Sequence, residues 1–143
     1  MYEITTIEKD IIMKKYVILS LMFVMSIGFV MAQKQADIKL DKMTHNFGEF
    51  SADSPVVTAV FTFTNVGDAP LVIHRAIGSC GCTVPEYTQE PVLPGKTGTL
   101  KVTYNGKGRY PGHFKKSITL RTNGKTEMVR LFIEGTMTPT KEE

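Results

Sequence analysis

The feature that most constrains this chain is the alternation of apolar and polar residues in several short segments. In residues 57–64, apolar Val57, Phe61 and Phe63 occupy odd positions, and threonines occupy three of the four even positions. Successive side chains of a β-strand point to opposite faces, so a period of two predicts one face in the core and one outside. This segment is therefore predicted to be a half-buried strand.

Similar alternating segments recur at spacings of about 8 to 12 residues. They cover residues 37–50, 71–77, 99–104, 114–120 and 129–133, with turn-forming residues between them. The pattern predicts an all-β fold, an immunoglobulin-like β-sandwich of about seven strands. A closed barrel is the alternative, because alternation does not distinguish a closed sheet from two packed sheets.

The predicted sandwich spans residues 37–137. A polar leader, residues 33–36, precedes it, and a flexible tail, residues 138–143, follows it. The chain of 143 residues has room for one domain. Its 17 Lys and Arg against 14 Asp and Glu give a net charge of +3. Because these charges are scattered along the sequence, we expect no nucleic acid partner.

The N-terminal segment has the pattern of a secretory signal. Two adjacent lysines precede an apolar run of about 15 residues, and small residues lie before a predicted cleavage point after Ala32. Residues 13–32 are therefore predicted to be a cleaved signal helix, which makes the protein periplasmic or secreted, with no stable membrane span after cleavage. A retained anchor is the alternative, although a span needs about 20 apolar residues. Residues 1–12 contain three acidic residues and are predicted to be an upstream extension before a true start at Met13.

Both cysteines lie in one loop, with a single residue between Cys80 and Cys82. Outside the cytosol such a pair can be oxidised and remain so. A disulfide here closes a three-residue ring, to which chain entropy attributes only about 1.6 kcal/mol. In an extended strand the two Cα atoms would lie about 7 Å apart, slightly too far for a disulfide. We therefore expect the loop to curl, with Gly78 opening it and Gly81 permitting the curl.

A proline-rich connection follows the cysteine loop. Pro91 and Pro94 argue against a central strand in this segment. Pro94 and Gly95 suit the centre of a tight turn, and both are predicted to shape this connection.

Besides shaping the loop, the cysteine pair has two possible chemical roles. A strained, exposed disulfide is readily attacked by a thiol, so a redox role is one hypothesis, although no thioredoxin-like βαβ pattern surrounds the pair. Two thiolates also suit a soft ion such as Cu(I), with His74 as the third ligand by proximity in sequence. We expect no other cofactor, because only His45, His74 and His113 remain to complete a tetrahedral zinc site.

Several motifs resemble one known bacterial family. They are Phe61–Leu71, Ser79–Thr83, Leu93–Gly95, Tyr104–Asn105, Gly112–Phe114 and Ile133–Gly135. Together they resemble the family called domain of unknown function 1573 over nearly all of the mature chain. The resemblance implies an immunoglobulin-like module similar to the ASH and major-sperm-protein types, which are binding modules and not enzymes. It implies no settled activity.

No catalytic motif is present in the sequence. A Gly-x-Ser-x-Gly elbow, a phosphate-binding glycine loop and a His-Glu-x-x-His pair are all absent. We therefore expect an exported, non-catalytic module that binds a protein or an envelope component through loops or a free sheet edge, and that exposes a Cys-Gly-Cys loop. The alternative is soft-metal binding or thiol–disulfide chemistry through Cys80 and Cys82.

Overall fold

The computed structural model describes residues 3–25 and 33–140, and the chain divides into two units, of which the first ends at Gln33 and the second begins at Lys34. The first unit contains one helix, α1 (Glu3–Met25). The predicted cleavage point after Ala32 lies outside the described residues, so the signal peptide stays a prediction. Within the described ranges, no helix combines the length and the apolar character that a membrane crossing needs.

The second unit is a β-sandwich of two four-stranded sheets. Its strands within residues 33–140 are β1 (Ile38–Leu40), β2 (Thr44–Ser51), β3 (Val56–Asn65), β4 (Ile73–Gly78), β5 (Thr83–Tyr87), β6 (Thr97–Asn105), β7 (Gly112–Thr122) and β8 (Met128–Thr138). Sheet A has the order β1-β3-β6-β5, and sheet B has the order β2-β8-β7-β4. All neighbouring strands are antiparallel except β2 and β8, which are parallel. The predicted immunoglobulin-like sandwich is confirmed, and the barrel alternative is wrong.

The alternating residues form the core between the two sheets. Phe61 and Phe63 of β3 are fully buried, in one cluster with Leu120 of β7 and with Leu131 and Ile133 of β8. Full burial of a side chain of this size stabilises a fold by about 1.5–3 kcal/mol relative to exposure. Residues 57–64 are therefore confirmed as a strand with one face in the core.

Residues 37–50 form two strands in different sheets, whereas a single bent strand was expected. β1 pairs with β3 in sheet A, and β2 pairs with β8 in sheet B. The chain crosses between the sheets at residues 41–43, where Asp41 N–H still donates to Thr62 O and Met43 O already accepts from Phe132 N–H. The predicted bulge does occur, with a register shift between Asn46 and Glu49.

A strand also lies where the cysteine loop was expected to continue. β5 includes Pro85, which has no backbone N–H to donate to a neighbouring strand. This is compatible with a strand because β5 pairs with β6 on one side only. Proline is tolerated on an edge strand, because its missing N–H can face away from the neighbouring strand. The loop prediction for residues 83–85 is therefore wrong.

The connection from β7 to β8 is longer than the predicted two-residue hairpin at Asn123 and Gly124. A type I′ turn needs positive φ at both central residues, and neither residue has it. Instead, Thr122 N–H donates to Glu127 O at 2.9 Å, and Lys125 N–H donates to Ala36 O at 2.8 Å. Ala36, which was expected to lie in a free leader, is consequently buried.

Candidate functional site at the crossover margin

One side of the sandwich is formed by β4, the cysteine loop (Ser79–Cys82) and β5. β4 is an edge strand of sheet B and β5 is an edge strand of sheet A. The cysteine loop is therefore the point where the chain crosses from one sheet to the other. We call these three segments together the crossover margin.

The cysteine loop is curled, as expected. The sulfur atoms of Cys80 and Cys82 lie at disulfide-bonding distance, and their Cα atoms are 5.2 Å apart. Thr83 closes the turn, because its N–H donates to Cys80 O at 3.1 Å and its Oγ1 lies 3.4 Å from the Cys80 sulfur. The crossover thus contains two sulfurs at disulfide-bonding distance and one short turn.

The loop is less exposed than predicted. Ser79 and Gly81 are exposed and Cys80 is half-buried, but Cys82 is only 6% exposed and belongs to the hydrophobic core cluster. Asn105 N–H donates to Cys82 O at 2.8 Å, which holds this residue against β6. Cys80 is consequently the more accessible of the two sulfurs.

The two glycines of this region differ in what they do. Gly78 lies directly against the Thr83 backbone carbonyl, so a Cβ at Gly78 would overlap that oxygen. Gly81 does not have positive φ, and open space surrounds the position where its Cβ would be. The close approach of the β4 and β5 backbones therefore requires a glycine at Gly78. The curl of the loop does not require the conformational freedom of a glycine at Gly81.

The predicted turn after β5 is present. Gly95 has a φ of +75°, and Lys96 N–H donates to Leu93 O at 3.0 Å. This is the arrangement of a type II turn with Pro94 at the second position and Gly95 at the third.

His74 lies apart from the cysteines. It precedes Gly78 by four residues on β4, and at about 3.3 Å per residue the two positions are about 13 Å apart. The other histidines lie on β2 and β7, where His45 Nδ1 is 3.1 Å from Lys42 Nζ and His113 Nδ1 is 3.5 Å from Thr136 Oγ1. Burial lowers the pKa of His45, and the charge of Lys42 lowers it further. The structure therefore brings Cys80 and Cys82 together but does not bring His74 to them, and residues 33–140 contain no cluster of three metal-binding side chains.

Three of the four edge strands are protected against pairing with another chain. β1 has only three residues, β2 is bulged at Gly48, and β5 contains Pro85 and a Glu86–Lys101 ion pair at 3.3 Å. Short length, bulges, prolines and charges are the usual devices that prevent such pairing. β4 has an irregularity between Ile73 and Arg75, but its last four residues, 75–78, contain neither a proline nor a further register shift, and Arg75 is their one charged residue.

The β4 edge presents backbone groups to the outside. Ser79 N–H donates to Ser117 O across the β4–β7 ladder. Residues that bond to the neighbouring strand alternate along an antiparallel pair, so Ala76 directs its N–H and C=O away from β7. Exposed Ile77 lies beside it on the outer face of sheet B.

The outer face of sheet B carries three arginines that the sequence analysis missed. Arg75 pairs directly with Arg121, and Arg130 lies one strand further, on β8. All three are exposed. In the sequence, each arginine occupies a position that faces outward on its own strand. Only the pairing of β4, β7 and β8 shows that the three arginines are neighbours.

Comparison with known proteins identifies the type of domain. The family described as "Protein of unknown function (DUF1573)" matches residues 38–137. No curated protein matches the sequence.

Three solved structures are similar to this chain. A protein of unknown function from Porphyromonas gingivalis W83 has 16% identity and a TM-score of 0.63, over 75% of this chain and 49% of that chain. The ASH/PapD-like domain 7 of human CEP192 has 8% identity and a TM-score of 0.59, over 75% of this chain and 89% of that chain. The VesB protease of Vibrio cholerae has 15% identity and a TM-score of 0.53, over 72% of this chain and 31% of the protease. At these identities the similarity shows the fold alone, and this chain spans only about half of the Porphyromonas gingivalis protein, 49%.

Proposed function

The chain belongs to the DUF1573 family of proteins of unknown function. We propose that it is an exported, non-catalytic module that binds a protein or an envelope component at the crossover margin. Export is supported by the signal-like pattern of residues 13–32. A non-catalytic role is supported by the lack of any catalytic motif in the sequence.

The observation that carries this proposal is the β4 edge. After the irregularity between Ile73 and Arg75, its last four residues lack the proline and the bulge that interrupt β5 and β2. An extended segment of a partner can pair with such an edge through main-chain hydrogen bonds, while side-chain contacts give specificity. Ala76 supplies the backbone groups, and exposed Ile77 supplies an apolar contact.

A matched pair of substitutions tests this location. Ile77 is 41% exposed on sheet B, and Val60 is 50% exposed on the outer face of sheet A, so either tolerates a lysine without disturbing the core. In affinity capture from the native envelope with the tagged full chain, we expect wild type and Val60→Lys to recover the same partner and Ile77→Lys to lose it. Equal thermal unfolding of the two variants is the control for folding.

Two results would contradict the proposed location. One is recovery of the same partner by Ile77→Lys at the level of wild type. The other is the absence of any partner that wild type recovers reproducibly across growth conditions.

Thiol or soft-metal chemistry at Cys80 and Cys82 is the second candidate function, supported by the disulfide-bonding distance of the sulfurs and the partial exposure of Cys80. Thiol labelling with mass spectrometry, before and after mild reduction, measures the oxidation state. Anaerobic Cu(I) titration of the reduced protein, compared with the Cys80→Ser, Cys82→Ser variant, measures metal uptake. Equal, weak uptake by both proteins would rule out a copper site, and His74→Ala tests whether the distant histidine takes part.

A further inference from the structure

We propose that Arg75, Arg121 and Arg130 form a binding site for a phosphate group on the outer face of sheet B. Such a site is formed by side chains on the face of the sheet, so it does not depend on strand pairing at the β4 edge. The proposed site also specifies the chemical class of its ligand, which the proposed binding of a partner does not.

The register of three neighbouring strands brings the arginines together. Arg75 lies directly opposite Arg121, and Arg121 lies opposite Met128, two residues before Arg130. Directly opposite side chains begin about 5 Å apart, and diagonal ones about 7–8 Å apart. Because an arginine stem is long and flexible, all three guanidinium groups can reach one point above β7.

None of the three arginines forms an ion pair with a described residue. Among residues 33–140 the ion pairs are Lys101–Glu86 and Lys115–Glu134, neither of which includes an arginine of the cluster. Glu127 and His74 line a depression of about 480 Å³ beside Arg121, and Glu127 forms no ion pair with it. Like charges directly opposite each other destabilise a sheet. A bound anion between Arg75 and Arg121 removes this cost.

The number of arginines favours phosphate over carboxylate. One guanidinium satisfies both oxygens of a carboxylate through a bidentate pair. A phosphate monoester carries a charge of about −1.5 to −2 and three acceptor oxygens, so it can accept from several guanidinium groups at once. Three arginines that can reach one point therefore match a phosphate group better than a single carboxylate.

The side-chain Nε–H resonances of the arginines report binding directly. On titration of the ¹⁵N-labelled protein with pyrophosphate, we expect saturable shifts of all three resonances. Combined Arg75→Gln, Arg121→Gln and Arg130→Gln substitution is expected to weaken binding by at least about tenfold, since each charge-assisted hydrogen bond contributes more than the equivalent of that factor.

A matched control removes the same charge elsewhere. Lys39, Lys96 and Lys107 are exposed and lie outside sheet B. Replacing all three with Gln lowers the net charge by the same amount, and we expect pyrophosphate affinity to stay within about twofold of wild type. Equal weakening in the lysine and arginine variants would overturn the site, because attraction would then depend only on net charge.

The source of the phosphate is distinguished by two further probes. Binding to mixed phosphatidylcholine and phosphatidylglycerol vesicles, lost in the arginine variant, supports a lipid phosphate, whereas binding to pyrophosphate alone supports a soluble one. Tighter binding of poly-glutamate than of pyrophosphate, or no saturable shift with any probe, overturns the proposal. Partner capture by the Ile77→Lys variant is measured in a separate experiment. Failure of the phosphate site is seen in the titrations, and failure of the β4 edge is seen in the capture.

Discussion

Two connections between the sheets, the Asn65 corner and the cysteine loop, are held together in different ways. The Asn65 corner, residues 65–71, leads from β3 in sheet A towards β4 in sheet B, and the cysteine loop leads from β4 back to sheet A. Asn65 is fully buried, and its amide makes four hydrogen bonds. Its Nδ2 donates to Ala69 O at 2.7 Å and Val92 O at 2.8 Å, and its Oδ1 accepts from Gly67 N–H at 3.0 Å and Asp37 N–H at 3.4 Å.

The cysteine loop has no comparable network. The two sulfurs join residues only two positions apart, and the loop's backbone bonds to its neighbours through Ser79 and Cys82. Asn65, in contrast, holds segments up to 28 residues away in sequence. We therefore expect the cysteine pair, which stands out in the sequence, to contribute less to the stability of the fold than the buried Asn65 amide does.

The largest expected effect is that of Asn65→Ala. This substitution leaves the partly buried Ala69 O and Gly67 N–H without this partner, whereas Val92 O still accepts from Leu71 N–H. Because it also leaves a cavity at a fully buried side chain, we expect a loss of about 3 kcal/mol in the free energy of unfolding. Urea unfolding measures it.

Asn123→Ala is the matched control, because exposed Asn123 also bonds through both ends of its amide, to Val72 N–H and Pro70 O. We expect a loss of about 1 kcal/mol there. Equal losses at the two positions would refute the special role of the Asn65 corner.

Gly78→Ala is expected to have the next largest effect. The added Cβ overlaps the Thr83 carbonyl, so β4 and β5 have to separate, at a cost of about 2 kcal/mol. Gly81→Ala, two residues before Thr83, adds a Cβ in open space and is expected to change stability by less than about 0.5 kcal/mol. Thermal unfolding of both variants checks this, and a larger loss at Gly81 would contradict the described loop.

Removal of both sulfurs is expected to cost less than loss of Asn65. For a three-residue ring the chain-entropy contribution is about 1.6 kcal/mol, so loss of the bond alone should lower stability by about that amount. In Cys80→Ser, Cys82→Ser, a hydroxyl at the buried position of Cys82 adds a further cost. Reduction of wild type with dithiothreitol separates loss of the bond from the effect of the serine side chains. A loss that exceeds the loss in Asn65→Ala would reverse the comparison.

The smallest expected effect is a pH dependence from Asp37, whose N–H donates to the Asn65 amide oxygen. Hydrogen bonding from Thr126 holds the pKa of Asp37 below its usual range, aided by Ile38 N–H and the charge of Lys125 and opposed by desolvation. Because the folded-state pKa is depressed, this contribution is fully present above about pH 4 and is lost as the pH falls through the folded-state pKa. Between pH 5 and pH 2, urea midpoints should fall more steeply for wild type than for Asp37→Asn; parallel curves would show that Asp37 contributes nothing.

Local sequence patterns were enough to predict much of the fold. The alternation in residues 57–64 predicted β3, and Pro94 with Gly95 predicted the turn, because each pattern depends only on neighbours in the chain. The proximity of Cys80 and Cys82 followed from their spacing in the same way.

Features that depend on long-range pairing were not predictable. The Asn65 amide reads as an ordinary turn residue in the sequence, since its partner Val92 lies 27 positions away. The arginine cluster on sheet B requires the register of three strands, and the edge position of β5 requires the sheet order. A period of two identifies strands and their faces, but it does not say which strands are neighbours.

Partner capture with wild type and two variants tests whether recognition uses the β4 edge and not the cysteine pair. Full-length wild type, Ile77→Lys and the Cys80→Ser, Cys82→Ser variant are used to capture partners from the same envelope preparation. The account predicts that the cysteine variant retains the partner of wild type and that Ile77→Lys loses it. Loss of the partner by the cysteine variant, with retention by Ile77→Lys, would contradict the account.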